Sequence, residues 1–193
     1  RLFLAQPPEG CILLAGGLPA PEVYPVQAIE AATRRALERH GANALGYGPV
    51  EGLTALRREI AGRLSTPERR FGPENVLVTT GSMQALALIG KVLLDPGDAI
   101  LAQYPTYLGA LDAWRPRLPV YRKIDWRADA DAMAEAMTGA KFAYTVPNFS
   151  NPTGALVPAA DRARILAAAE RTGLWLVEDD PYGALHYDGE ALS

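Results

Sequence analysis

The sequence has 193 residues, of which 49% are hydrophobic and 21% are charged, so its composition is that of a folded globular protein. Its 19 basic and 22 acidic residues give a net charge of -3, which argues against a general nucleic-acid-binding or membrane-surface protein. No apolar run approaches the ~20 residues of a membrane span. A single cysteine, Cys11, excludes an internal disulfide framework, and the two distant histidines predict no metal site. We therefore expect a cytoplasmic protein without nucleic-acid or membrane partners.

The N-terminal part of the chain predicts an irregular arm followed by two helices. Residues 1–25 contain five of the 16 prolines, which favours an irregular backbone. Apolar residues at helical spacing predict a helix from about Val26 to Arg39, with Gly41 at its C-terminal cap. After a glycine-rich turn, the spacing between Leu53 and Leu64 predicts a second helix.

From residue 75 onward the pattern changes to short apolar runs that alternate with helical segments. Strands are predicted at Val76–Thr79, Ala99–Ala102, Val120–Tyr121, Phe142–Val146 and Leu174–Val177. Helices are predicted at Ser82–Leu94, Asp129–Met137 and Pro158–Arg171. Strands that are apolar on both faces and alternate with helices predict an α/β fold, a three-layer α-β-α arrangement around a mostly parallel sheet. We divide the chain into residues 1–70, the arm and helices, and residues 71–193, part of this α/β domain.

The chemically informative residues follow the predicted strands, where open parallel sheets bind their ligands. Gly81 and Ser82 come after the first predicted strand and open an apolar helix, whose free N–H groups and dipole suit a phosphate. The alternative is that Ser82 only caps the helix. Tyr107 follows the second strand, with Pro105 suited to the first turn of a helix, and its ring could stack on a flat ligand or simply pack.

The last two strands are followed by further polar groups. Asn151 begins an Asn-Pro-Thr-Gly segment that predicts a β-turn and carries an amide able to donate to an oxygen. Three consecutive acids, of which Asp179 is the second, leave the final strand, and Asp180 could cap a helix before Pro181. Together these groups offer a phosphate site, an aromatic face, hydrogen-bond donors and a carboxylate. Pyridoxal phosphate requires that combination, since a carboxylate keeps its ring nitrogen protonated.

The chain resembles the N-terminal arm and an incomplete large domain of class I and II pyridoxal-phosphate-dependent aminotransferases, which have the fold of aspartate aminotransferase. It is most similar to the branch of 2-aminoadipate and aromatic aminotransferases. The motifs that carry the resemblance, in chain order, are Ala15-Gly16-Gly17-Leu18-Pro19, Leu45-Gly46-Tyr47-Gly48, Thr80-Gly81-Ser82-Met83-Gln84-Ala85-Leu86, Tyr104-Pro105-Thr106-Tyr107, Asn148-Phe149-Ser150-Asn151-Pro152-Thr153-Gly154 and Val177-Glu178-Asp179-Asp180-Pro181-Tyr182.

The resemblance implies a role for individual residues in cofactor binding. Gly81, Ser82 and Met83 would line the phosphate site. Tyr107 would stack on the pyridine ring, and Asp179 would pair with the ring nitrogen.

Four further roles are implied by the same resemblance. Asn151 and Tyr182 would hydrogen-bond the phenolate oxygen of the cofactor. Gly17 would approach the substrate carboxylate, and Tyr47 would reach the phosphate in a neighbouring subunit of a homodimer with shared active sites. The substrates would be an amino acid and a 2-oxo acid.

None of the lysines fits the Schiff-base lysine that transamination needs. Lys91 lies about nine residues into a helix, ~13 Å from its phosphate end. Lys141 precedes a strand and is expected at the opposite edge of the sheet. Lys123 is expected at the correct edge but lacks the Ser-x-x-Lys setting of the family. The resemblance implies that the catalytic lysine lies beyond Ser193. It also implies that residues 1–193 belong to a longer chain and are inactive alone.

Two other functions remain open at this level. One is the effector domain of a transcriptional regulator, in which an aminotransferase-like module follows an N-terminal winged-helix domain. The other is a lyase or decarboxylase on the same scaffold, because cofactor motifs do not fix the reaction. The sequence does not identify the amino acid substrate.

Overall fold

The computed structural model describes residues 9–12, 17 and 19–188. The chain divides into two units between Asn75 and Val76, a few residues after the predicted boundary at residue 70. Part of one predicted motif, Ala15, Gly16 and Leu18, lies outside the described residues. The assignment of the first unit to an arm and dimer contact stays a prediction.

The first unit contains the two predicted helices, α1 (Val26–His40) and α2 (Thr54–Leu64). Gly41 ends α1 with a φ of 54°, a left-handed value that glycine adopts readily, and its N–H donates to the Leu37 carbonyl. Arg57 of α2 connects the flanking segments. Its guanidinium donates to the carbonyl of Gly52 at 3.1 Å and to that of Pro73 at 2.9 Å.

The second unit is an α/β domain whose elements alternate along the chain. Its elements are α3 (Ser82–Leu93), β1 (Ala99–Ala102), α4 (Leu108–Trp114), β2 (Val120–Lys123), α5 (Ala130–Met137), β3 (Ala140–Thr145), α6 (Ala159–Thr172) and β4 (Trp175–Glu178). The four strands form one parallel sheet in the order β2-β1-β3-β4.

Alternate strand residues face two separate hydrophobic clusters. Ile100, Phe142 and Tyr144 pack with residues of α3 and α4 on one face of the sheet. Leu101 and Ala143 pack with residues of α5 and α6 on the other face. This two-residue alternation is the pleat of a sheet buried on both sides. The predicted three-layer α/β fold with a parallel sheet is therefore confirmed.

Two local predictions are wrong. Residues 76–79 do not form a strand, because among the described residues no neighbouring chain pairs with them. Pro105 does not begin a helix: α4 starts at Leu108, with Tyr107 as its N-cap, and the Tyr104–Pro105 peptide bond is cis.

Gly90 of α3 provides a test of the packing between α3 and α4. A Cβ at Gly90 would lie 2.5 Å from Cδ1 of the Trp114 indole, whereas a Cβ at Gly62 of α2 would meet no atom within 4 Å. We therefore expect Gly90→Ala to lower the free energy of unfolding by about 1–3 kcal/mol. Gly62→Ala should raise it by about 0.5 kcal/mol, because it reduces the freedom of the unfolded chain. Urea denaturation of both variants measures the difference, and equal effects would contradict it.

Candidate functional site

The residues that follow β1, β3 and β4 meet at one edge of the sheet because all the strands run in the same direction. Glu178 at the end of β4 is paired with Thr145 at the end of β3. The Asp179 N–H then donates to the Thr145 carbonyl at 2.9 Å. The predicted site residues Tyr107, Asn151, Asp179 and Tyr182 all follow these strand ends.

The N-terminus of α3 has unpaired backbone donors. Gly81 is the N-cap residue, with a φ of 98°, and no side chain caps the helix. Ser82 is therefore the first residue of the helix, and the alternative interpretation that it is only a cap is wrong. Among the described residues, no acceptor contacts the N–H of Ser82 or Met83 or the Ser82 hydroxyl. These donors and the helix dipole form a site suited to an anion.

Tyr107 lies half-buried at the start of α4 and contacts the cluster that contains Phe142 and Tyr144. Its hydroxyl lies 4.0 Å from the sulfur of Met83 in the first turn of α3. A Cβ at Gly109 would lie 2.4 Å from the Tyr107 ring, so this ring position requires glycine there. The ring is thus held next to the α3 N-terminus.

The Asp179 carboxylate is hydrogen-bonded to a buried tyrosine of β3. The Tyr144 hydroxyl donates to Oδ2 of Asp179 at 2.7 Å, and the Tyr144 side chain is fully buried. Burial, together with the hydrogen bond to Asp179, raises the pKa of Tyr144 far above its ordinary value. Among the described residues, no hydrogen bond reaches Oδ1 of Asp179, which leaves that oxygen available as an acceptor.

Hydrogen bonds of buried polar groups stabilise the turn that carries Asn151. Arg162 of α6 donates to Oδ1 of Asn148, and the Gln103 amide donates to the Ser150 hydroxyl. The Gly154 N–H donates to the Ser150 carbonyl, so the turn is one residue wider than the predicted β-turn. The Asn151 amide itself is exposed and, within the described residues, makes no hydrogen bond.

Tyr182 is half-buried and contacts the same hydrophobic cluster as Tyr107. With Phe149 and Gly154 it lines an open cavity of about 510 Å³. Asp180 accepts a hydrogen bond from the Gly183 N–H at 2.8 Å, so it caps a turn, although residues 181–188 contain no helix.

The family described as aminotransferase class I and II matches residues 11–192. The chain belongs to this family of pyridoxal-phosphate-dependent enzymes. It is 42% identical to a 2-aminoadipate transaminase of Thermus thermophilus, over 98% of this chain and 47% of the relative. It is 40% identical to aromatic-amino-acid aminotransferase 1 of Thermococcus litoralis, over 94% of this chain and 46% of the relative.

A solved structure of a family member has the same fold. The crystal structure of α-aminoadipate aminotransferase from Thermus thermophilus, complexed with N-(5'-phosphopyridoxyl)-L-leucine, has a TM-score of 0.83 and 40% identity, covering 92% of this chain and 46% of that chain. The chain therefore spans about half the length of the relatives that it matches. It is also 27% identical to an uncharacterised HTH-type transcriptional regulator of Bacillus subtilis, over 95% of this chain and 38% of the regulator.

The sheet edges predicted for Lys123 and Lys141 are confirmed, although Lys141 lies within β3 and does not precede it. Lys141 forms an ion pair with Asp98 at 3.4 Å, near the amino ends of β3 and β1 and away from the candidate site. Lys91 lies in the last turn of α3. Lys123 ends β2, and its ammonium lies 6.0 Å from the centroid of the Tyr104 ring.

Two predicted site residues lie in the first unit, which is described by itself. Gly17 is exposed with a φ of 53°, and the Tyr47 side chain is fully exposed. Their assignment to substrate and to the phosphate of a neighbouring subunit stays a prediction. No helix in the described part of the chain is long and apolar enough to cross a membrane. Within the same residues, no group of three or more His, Cys, Asp or Glu side chains could hold a metal ion.

Several polar residues of the site were missed by the sequence analysis. Thr145 ends β3, Asn148 and Ser150 follow the strand, and all three are buried. Tyr144 precedes them. A signal was present, since polar residues directly after an apolar strand need hydrogen-bond partners. Their partners, Gln103 and Arg162, lie far away in the sequence and could not be paired with them from it.

Proposed function

We propose that the protein carrying this chain transfers an amino group between an amino acid and a 2-oxo acid, with pyridoxal phosphate as its cofactor. The observation that carries the proposal is the Asp179 carboxylate, which keeps one oxygen available at the same sheet edge as the open α3 N-terminus. Family membership supports the reaction class.

The chemistry of the donor set fits this cofactor. A dianionic phosphate suits the unpaired N–H groups of Ser82 and Met83 and the Ser82 hydroxyl. The half-buried ring of Tyr107, next to Met83, suits a flat aromatic group. When bound, pyridoxal phosphate supplies an electron sink for the bonds at the α-carbon of the amino acid.

Each residue then has a task in binding or in holding a proton. Gly81, Ser82 and Met83 bind the phosphate. Asp179 holds the proton on the ring nitrogen, because a nearby carboxylate favours the charged form of that nitrogen. Tyr107 fixes the plane of the ring.

The remaining assignments rest on the family resemblance. The Asn151 amide and the Tyr182 hydroxyl donate to the phenolate oxygen. Gly17 contacts the substrate carboxylate, and Tyr47 contributes to the site of the other subunit in a homodimer. We place this dimer in the cytoplasm.

The relatives support a proposal for the substrate class. The named relatives act on 2-aminoadipate and on aromatic amino acids, so we propose one of these as the amino donor. The test uses the full-length protein, loaded with pyridoxal phosphate. L-2-Aminoadipate or L-phenylalanine is supplied with 2-oxoglutarate, and glutamate formation is measured. Turnover of either donor is expected, and absence of amino transfer from a panel of amino acids would contradict the proposal.

The lysine assignment has a separate test. We propose that none of Lys91, Lys123 and Lys141 binds the cofactor covalently, and that this lysine lies outside Arg1–Ser193. Borohydride reduction of the loaded full-length protein, followed by peptide mass spectrometry, locates the modified lysine. A phosphopyridoxyl group on any of the three would contradict the assignment.

The similarity to a regulator supports a second candidate function, an effector-binding module of a transcription factor. In that case the full-length protein would bind cofactor without sustained turnover, and a DNA-binding domain would precede Arg1. Multiple-turnover kinetics therefore distinguish the two functions.

A further inference from the structure

Tyr144 has a contact that the family assignment does not use. It lies on β3, on the face of the sheet covered by α3 and α4, and its side chain is fully buried. The neighbouring strand β4 is in register with it, with Val177 opposite Tyr144 and Glu178 opposite Thr145. This register brings the first residue after β4, Asp179, next to the Tyr144 hydroxyl.

The Tyr144 ring is held in a single orientation. Trp114 contacts it edge to face, with ring centroids 5.1 Å apart and an interplanar angle of 83°. The Trp114 indole is itself fixed, because its N–H donates to the Leu86 carbonyl at 2.8 Å and Gly90 leaves room for its ring. A fully buried ring among such neighbours cannot move without displacing them.

Two hydrogen bonds from β3 hold Asp179. The Asp179 N–H donates to the Thr145 carbonyl at 2.9 Å, and the Tyr144 hydroxyl donates to Oδ2 at 2.7 Å. The second bond is short and involves a carboxylate, which makes it stronger than a hydrogen bond between neutral groups. Because the raised pKa keeps the phenol protonated, Tyr144 remains a donor across the neutral range.

We propose that Tyr144 is a positioning residue: its hydroxyl occupies Oδ2 of Asp179 and thereby presents Oδ1 to the ring nitrogen of pyridoxal phosphate. This inference rests on the proposed function, in which Asp179 pairs with that nitrogen. Without the hydroxyl, the carboxylate can rotate about its Cβ–Cγ bond, and its hydrogen bond to the protonated ring nitrogen becomes weaker.

The test compares three variants of the full-length protein. Tyr144→Phe removes the hydroxyl but keeps the ring against Trp114. Asp179→Asn removes the proposed partner of the nitrogen. Tyr121→Phe is the matched control, because it also removes a tyrosine hydroxyl that donates a hydrogen bond, here to the Leu111 carbonyl of α4 at 3.1 Å. Tyr121 lies on β2, away from Asp179. Far-UV circular dichroism verifies that each variant is folded.

The readout is the nitrogen-15 resonance of ring-labelled pyridoxal phosphate bound to each variant. In Tyr144→Phe the resonance is expected to move toward the unprotonated position, and the dissociation constant of the cofactor is expected to rise about five- to tenfold, the net contribution of one typical hydrogen bond. Asp179→Asn should move the resonance further in the same direction, and Tyr121→Phe should leave it unchanged.

The outcomes separate the two proposals. If Asp179→Asn moves the resonance but Tyr144→Phe leaves it unchanged, the inference is overturned and the function of Asp179 stands. It is equally overturned if the Tyr144→Phe resonance moves toward the protonated position. The hydroxyl would then only reduce the ability of the Asp179 carboxylate to stabilise the protonated nitrogen. If Tyr121→Phe acts like Tyr144→Phe, the effect is not one of positioning. If Asp179→Asn leaves the resonance unchanged, the proposed role of Asp179 fails.

Discussion

Replacing Asp179 by asparagine in the full-length protein is expected to lower the kcat of amino transfer about 10²- to 10³-fold, the usual cost of losing a preorganised electrostatic partner. The asparagine amide can still accept the Tyr144 hydrogen bond, so the packing at the strand end is preserved. It carries no negative charge, however, and no longer favours a protonated ring nitrogen. Steady-state kinetics at saturating cofactor measure the loss.

Asp180→Asn is the matched control for this prediction. Asp180 is adjacent and exposed, and its carboxylate caps the Gly183 N–H, a task that asparagine can also perform. Its kcat should stay within about twofold of the wild type, since surface substitutions of this kind change little. Equal losses for the two variants would show that the charge at position 179 has no special role.

Trp114→Ala is expected to have the largest effect on stability, a loss of about 3–5 kcal/mol in the free energy of unfolding. Trp114 is fully buried and contacts Phe142 and Tyr144 edge to face. Alanine leaves a cavity between α4 and the sheet and leaves the Leu86 carbonyl without its indole donor. Urea denaturation followed by far-UV circular dichroism gives the value.

The contact between Gly90 and Trp114 supplies an internal control for that experiment. In the Trp114→Ala background the indole that blocks a Cβ at Gly90 is gone, so Gly90→Ala should become neutral or stabilising. Strict additivity of the two substitutions would contradict the proposed packing, as would a loss below about 1 kcal/mol for Trp114→Ala alone.

The hydrophobic pattern predicted most of the fold because the sheet is parallel and buried on both faces. Four of the predicted strands have counterparts in β1 to β4, and the helix starting at Ser82 begins where its apolar run begins. The run Val76–Thr79 has the same composition but no pairing partner among the described residues. A strand is defined by its neighbours, and local composition does not show whether a neighbour exists.

The sequence predicted the candidate site less completely, for a related reason. Asp179 and Tyr107 could be recognised by their position after strands and by the family motifs. Tyr144 could not, because a tyrosine within an apolar strand is also typical of simple core packing. Its significance depends on the register between β3 and β4, a contact between residues 35 positions apart.

That register limits which changes in length β3 can tolerate. Successive residues of a strand face opposite sides, so a one-residue shift of β3 that moves Ala143 into the position of Tyr144 would exchange the faces occupied by these two residues. The phenol would then point toward α5 and α6, and a methyl group would take its place beside Asp179. The site thus fixes the register of β3 against β4, and we expect insertions and deletions in homologous chains to avoid β3.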